Sequence, residues 1–152
     1  MGQRFAYQDA AAAGMKALAG VHLYVRRSGL PRSLIDLVYL RASQINGCTY
    51  CIDLHSRDLR NAGMANEKLM LVSVWREAES FFSPEERAAL AWTESVTRVS
   101  ETHVPDADYQ DALTQFDETQ LASLTLAVGV VNAYNRMAVS FRRGPAPPSP
   151  PD

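Results

Sequence analysis

Apolar residues recur at intervals of three and four along most of the chain, the spacing that lines one face of a helix. Over residues 9–28, Met15, Leu18, Ala19, His22 and Val25 share such a stripe, and Arg26, Arg27 and Gly29 supply the cations and glycine that end a helix. A second helix is predicted from Pro31 and Ser33, carrying Leu34, Leu37, Val38, Arg41 and Ile45 until Asn46-Gly47 breaks it. A third runs from Cys48 to about Ala62, where Gly63 provides a left-handed cap, and a short helix follows over residues 66–75. Ser83-Pro84-Glu85-Glu86 combines an N-cap, a proline at the first helical position and a capping-box glutamate. The helix it opens carries Leu90, Ala91, Glu94 and Val96 to about Ser100. After a connector at His103 to Pro105, Asp106 caps a helix through Phe116. Asp117 and Gln120 then open a long final helix from Glu118 to about Phe141, expected to be central or at a subunit interface.

Residues 124–131 also read as a β-branched buried strand by composition, but the helix starts around them decide for helix. The expected fold class is therefore all-α. A single domain is expected over residues 1–143, and a length of 152 residues with 47% apolar composition lets it bury roughly two thirds of its unfolded surface. Residues 144–152, Gly-Pro-Ala-Pro-Pro-Ser-Pro-Pro-Asp, hold no core-forming side chain and are expected to be a flexible, solvated tail.

Charge and hydropathy narrow the partners. Fifteen basic against seventeen acidic residues leave a net charge of −2, without the basic excess that binding nucleic acid requires. No apolar run approaches the ~18 residues of a membrane span, and the N-terminus lacks a signal-peptide layout. A soluble, cytoplasmic protein with neither nucleic acid nor membrane as partner is expected.

The two cysteines of the chain stand in Cys48-Thr49-Tyr50-Cys51, with His55 one turn further on. Helical positions i, i+3 and i+7 share a stripe, so both thiols and the imidazole meet in one pocket. Cysteines three apart on a helix have Cα separations of about 5 to 5.5 Å, within disulfide range. So short a loop gains little stability from closure, which makes redox cycling the better reason for the pair. His55 can take up a thiol proton, directly or through a water, if a carboxylate fixes its tautomer. Asp36, on the preceding helix, is the leading candidate, whereas Asp53 is expected to point elsewhere. Two thiolates and one imidazole leave a zinc site short of a ligand, and His22 and His103 have no evident reason to converge there. Haem attachment needs a histidine where Ile52 stands. No metal and no cofactor are expected. His22 and His103 are read without a site role, Trp75 and Trp92 as packing anchors, and Asn135-Arg136 as holding a helix end or an interface.

The stretch Leu37-Val-Tyr-Leu-Arg-Ala-Ser-Gln-Ile-Asn-Gly-Cys-Thr-Tyr-Cys-Ile-Asp-Leu-His55 resembles the core of alkylhydroperoxidase D-like proteins of the carboxymuconolactone decarboxylase superfamily. The likeness extends through Ala88 to Glu94 and Asn132 to Arg136, covering roughly residues 15–142. It implies an all-helical homo-oligomer, often trimeric or hexameric, that reduces hydrogen peroxide or organic hydroperoxides without metal or flavin. It further implies Cys51 as peroxidatic thiol, Cys48 as resolving thiol, His55 in a proton relay and an external dithiol as reductant. The family's glutamate falls on Asp36, one methylene shorter, so the relay is expected to need a bridging water. Tyr50 stands where other members can carry a second histidine. The helix terminus by itself would make Cys48 the more acidic thiol, so local physics and the resemblance favour opposite cysteines. Two other readings stand beside the peroxidase: a redox-responsive oligomeric binding protein without turnover, and lactone decarboxylase chemistry, which does not depend on a cysteine pair.

Overall fold

Leu34, Ile35, Asp36, Leu37, Val38, Tyr39 and Leu40 are consecutive and all buried. A helix hidden through two full turns must be covered on every side, and this one is the structural centre. The computed structural model describes residues 2–145, so most of the tail expected at 144–152 lies outside the described residues. In chain order the elements are α1 (Tyr7–Ala10), α2 (Ala12–Arg26), α3 (Arg32–Asn46), α4 (Thr49–Asn61) and α5 (Asn66–Leu71), then a 3-10 segment (Val72–Phe81). The second half comprises α6 (Pro84–Thr97), α7 (Val99–Thr102), α8 (Asp106–Leu113) and α9 (Glu118–Ser140). Helix α3 packs against α4, α6 and α9.

Two apolar cores lie on opposite sides of α3. Val25, Ile35, Val38, Trp92, Leu124 and Val128 join α2, α3, α6 and α9 on one side. Leu37, Leu40, Leu59, Val72, Trp75 and Leu90 join α3 to α4, the 3-10 segment and α6 on the other. Each such side chain contributes about 1.5–3 kcal/mol when fully buried.

The helix starts follow the sequence signals closely. Ser83 with Glu86 and Asp117 with Gln120 each form a reciprocal capping box. Residues 124–131 are helical, because the Asp117 box nucleates one continuous α9 and their β-branched side chains pack as one of its faces. Elsewhere the structure departs from expectation. The first predicted helix is split at Ala11, and α6 stops at Thr97 before the short α7. Asp106 lies inside the first turn of α8 rather than capping it, because Pro105 already holds the extended backbone of the N-cap. The short helix predicted over 66–75 is α5 followed by 3-10 turns with non-helical backbone at Val74 and Ala78. These breaks accompany an inward Trp75 whose indole N–H donates to Glu94. Helix α9 packs on α3 through one side and leaves Leu126 and Val139 exposed on another.

Glu94 ties this side of the fold together. It accepts from Arg41 Nε at 2.8 Å, Trp75 Nε1 at 2.9 Å and Arg76 Nη2 at 2.9 Å. Burial alone would raise its pKa, but the Trp75 hydrogen bond and the Arg41 and Arg76 cations outweigh that and hold it below the ordinary value. The stability it contributes is therefore present above the unfolded-state pKa and lost as pH falls through the lowered one. Glu94→Ala strands the nearly buried Arg41 cation, and urea unfolding at neutral pH is expected to show a loss of about 3 kcal/mol. A loss below ~0.5 kcal/mol, the size of an ordinary surface change, would contradict this role.

Candidate active site

Gly47 adopts a left-handed conformation, φ 65°, immediately after α3. Cys48 N donates to Ser43 O at 3.0 Å and Gly47 N to Gln44 O at 3.3 Å, closing α3 in a Schellman-type turn. Only Gly47 and Cys48 then separate the two helices, so Cys48 becomes the N-cap of α4 and its sulfur accepts from Cys51 N at 3.3 Å. A buried amide network holds this turn against α9. Asn46 Nδ2 donates to Asn132 Oδ1 at 3.0 Å and Asn135 Oδ1 at 2.8 Å, while Asn135 Nδ2 donates to Ser43 Oγ at 3.0 Å. Asn135 thus holds a helix end, as read from the sequence, and Arg136 folds back onto Asn132 of its own helix.

Cys48 and Cys51 are joined as a disulfide with Cα atoms 5.3 Å apart, both sulfurs buried beside Ala138 of α9. His55 follows one turn later on the buried face of α4. A cavity of about 230 Å³ opens on Cys51 and His55, lined mainly by Tyr7, Met15, Tyr39, Tyr134 and Arg143. Cys48 instead borders a separate, shallower recess with Thr49 and Arg142. The two cysteines therefore line different openings, although they stand only three positions apart.

Burial pushes the His55 pKa down to about 4; Asp36 opposes this, while Arg26 and His22 reinforce it. The imidazole is neutral at pH 7, the form that can accept a proton. Its ring packs 5.1 Å from that of Tyr39, and its buried Nδ1 has no hydrogen-bond partner among the described residues.

Asp36 is buried beside His55, as expected, but its direct partner is Arg26, whose guanidinium caps the carboxylate in a very short ion pair. Donor atoms of Asp36, His55 and Asp58 lie within 4.8 Å of one another. Asp58 Oδ2 stands 3.8 Å from His55 Nδ1. These gaps exceed a direct hydrogen bond and match a relay completed by an intervening water. The trio also presents donors to a cation, but Arg26 already neutralises Asp36. Asp53 points away and pairs with Arg57 on the surface.

Four residues of this layer carried no site role in the sequence. Arg26 reads as a helix-end cation, and Tyr39 only as part of the family-like stretch. His22, expected as a surface or partly packed histidine, is partly buried, with Nδ1 3.0 Å from the Tyr39 hydroxyl and the ring at the cavity wall. Asp58 is the fourth. The signal was present in two spacings: His22 and Arg26 four apart on α2, and Asp36 and Tyr39 three apart on α3, place each pair on one helical face. His103, by contrast, lies outside this layer, in a left-handed turn after α7.

The depressed His55 pKa has a thermodynamic consequence. Between pH 6.5 and about 4 the unfolded chain binds a proton at this position that the folded chain refuses, so stability falls as pH falls through that window. The loss is on the order of 3 kcal/mol at one pK unit per ~1.4 kcal/mol. Asp58, whose pKa is raised by burial and by Asp36, opposes the trend slightly. Urea unfolding of the oxidised protein at pH 7 and pH 4.5 should show the decline, and His55→Gln should flatten it. An equal slope in the variant would contradict the buried neutral imidazole.

Comparison with known proteins agrees with this architecture. The carboxymuconolactone decarboxylase family model matches residues 9–95. The uncharacterized protein YdfG of Bacillus subtilis is 35% identical over 141 residues, spanning 93% of this chain and 95% of that protein. The uncharacterized protein YnjA of Escherichia coli is 33% identical over 111 residues, spanning 73% of this chain and 60% of its own length. The crystal structure of an Agrobacterium tumefaciens protein of unknown function, proposed to be an antioxidant-defence protein AhpD, superposes with a TM-score of 0.92 at 36% identity, covering 97% of this chain and all of that one. The debrominase Bmp8 shares the fold alone, with a TM-score of 0.76 at 18% identity over 86% of this chain and 69% of its own. The chain belongs to the carboxymuconolactone decarboxylase family, within its alkylhydroperoxidase D-like group.

Proposed function

We propose that the protein is a thiol peroxidase that reduces hydrogen peroxide or small organic hydroperoxides. The observation that carries this reading is the Cys48–Cys51 disulfide, one of whose cysteines lines a cavity beside a neutral, buried histidine. The Cys51 thiolate attacks the peroxide O–O bond, forming an S–O bond and releasing alkoxide or hydroxide, which takes up a proton. The Cys48 thiol then displaces water from the Cys51 sulfenic acid, and the disulfide forms. An external dithiol restores both thiols in two exchange steps and leaves as its own disulfide.

Two arguments bear on which cysteine reacts first. The N-cap position and the Cys51 N–H favour a thiolate on Cys48. Access favours Cys51, because it and not Cys48 lines the cavity that holds His55. The proton acceptor decides, since Cys51 shares its cavity with His55, whereas the recess that Cys48 borders is lined by no histidine or carboxylate. His55 takes the thiol proton and returns it to the leaving oxygen. Asp36 and Asp58 orient the imidazole through water, with Arg26 holding Asp36 in place. Because the pair must be re-reduced in every cycle, the reaction belongs in a reducing compartment such as the cytoplasm. No helix among the described residues is long and apolar enough to cross a membrane.

A homo-oligomer is part of the proposal. It is supported by exposed apolar side chains on the packed pair α2 and α9, namely Val21, Leu23, Tyr24 and Leu126. Light scattering during size exclusion is expected to give an integral multiple of the 16.8 kDa chain mass. A mass of one chain at micromolar concentration would contradict it.

With dithiothreitol as reductant, purified protein should consume hydrogen peroxide and cumene hydroperoxide. Cys51→Ser and Cys48→Ser should each lose at least ~100-fold, and His55→Gln about 100-fold, in line with the 10²–10⁴ typical of a proton-transfer group. Background-level consumption by the wild type, or activity indifferent to both cysteines, would overturn the assignment.

A further inference from the structure

Helix α9 ends with Arg142 in the left-handed region, φ 57°, a conformation that normally falls to glycine. Arg142 N donates to Val139 O at 3.2 Å and Arg143 N to Ala138 O at 2.9 Å, so the strained residue turns the chain back over the helix end. The turn carries Arg143 inward. Its guanidinium stacks on Tyr50 with Cζ 3.7 Å from the ring centroid, and Nη1 lies 3.4 Å from the Tyr7 hydroxyl. It thereby lines the same cavity as Cys51 and His55.

Arg143 differs from the other arginines near buried groups. Arg26 has Asp36, and Arg41 has Glu94, but none of the ion pairs that the described residues form involves Arg143. Its neighbours are aromatic faces and a phenolic hydroxyl, groups that hold a guanidinium in place without neutralising it. A half-buried cation aimed into a cavity whose other walls are mainly aromatic, with no carboxylate among them, is a receptor for an anion, and its planar fork suits a carboxylate. Size limits what accompanies the anion. An apolar cavity of about 150 Å³ accommodates benzene, so the 230 Å³ here takes roughly one ring or a short branched chain.

We infer that the cavity selects small apolar carboxylates, with Arg143 binding the acid group while the reactive end of the molecule meets Cys51; as a statement about substrate it rests on the peroxidase reading above, so the favoured substrate is a hydroperoxide bearing a carboxylate. Arg143 is then a specificity residue rather than a participant in oxygen transfer. Tyr7 supports it through the hydroxyl contact and adds a second donor at the same end.

Binding and turnover test the two layers separately. By calorimetry on the oxidised protein, 4-isopropylbenzoate should bind at least tenfold more tightly than the isosteric, uncharged 4-isopropylbenzamide. Arg143→Gln should erase that preference and Arg143→Lys should keep part of it, with circular dichroism verifying that both variants fold. In turnover, kcat/KM for cumene hydroperoxide carrying a para-carboxylate should exceed that for cumene hydroperoxide by at least tenfold in the wild type and by less than about twofold in Arg143→Gln. Equal binding of acid and amide, no binding of either, or a preference that survives Arg143→Gln overturns the inference. A carboxylate preference in binding without turnover of either peroxide upholds the anion site and sinks the peroxidase reading instead.

Discussion

The left-handed turn at Gly47 decides where both sulfurs lie. Because α3 ends and α4 begins within two residues, Cys48 is forced into the N-cap position, and Cys51 falls one turn inside with its amide aimed at the Cys48 sulfur. A longer link would let the sulfurs drift. The amide network from Asn46 and Ser43 to Asn132 and Asn135 fixes the turn against α9, the same helix whose far end delivers Arg143. One joint thus positions the redox pair relative to both walls of the cavity.

Burial then does the chemical tuning. The layer formed by His22, Arg26, Asp36, Tyr39 and His55 is packed between α2, α3 and α4, where charges are costly unless paired. Arg26 and Asp36 meet that requirement by pairing with each other. His55 meets it by staying neutral. A neutral imidazole beside a thiol can accept a proton without first having to lose one; burial holds it in that form, with Arg26 opposing part of the upward pull of Asp36.

The parts of this arrangement governed by local spacing were legible in the sequence. Cys51 and His55, four apart, lie on one face of α4 as the spacing requires, whereas Cys48, expected on the same stripe and in the same pocket, stands at the extended N-cap and borders a separate recess; the 5.3 Å Cα separation falls inside the expected range. The capping boxes at Ser83 and Asp117 were equally plain, and the indole N–H groups of Trp75 and Trp92 anchor to Glu94 and Thr125 as packing residues should. What stayed hidden depends on contacts across helices. Asp36 was recognised as a neighbour of His55, but its pairing with Arg26 required α2 to lie across α3, which no periodicity reveals. A single histidine on an apolar stripe, such as His22, looks the same in sequence whether it faces a cavity or a core. The 3-10 segment after Leu71 was misjudged because apolar spacing alone does not distinguish regular helix from a run of tight turns around one inward tryptophan.

The account turns on Cys51 being the atom that takes oxygen from peroxide. A sub-second pulse of one equivalent of hydrogen peroxide on fully reduced Cys48→Ser protein, quenched with dimedone and mapped by peptide mass spectrometry, tests this directly. The adduct is predicted on Cys51 in stoichiometric amount. No cysteine adduct in that protein, together with rapid labelling of Cys48 in Cys51→Ser, would contradict it.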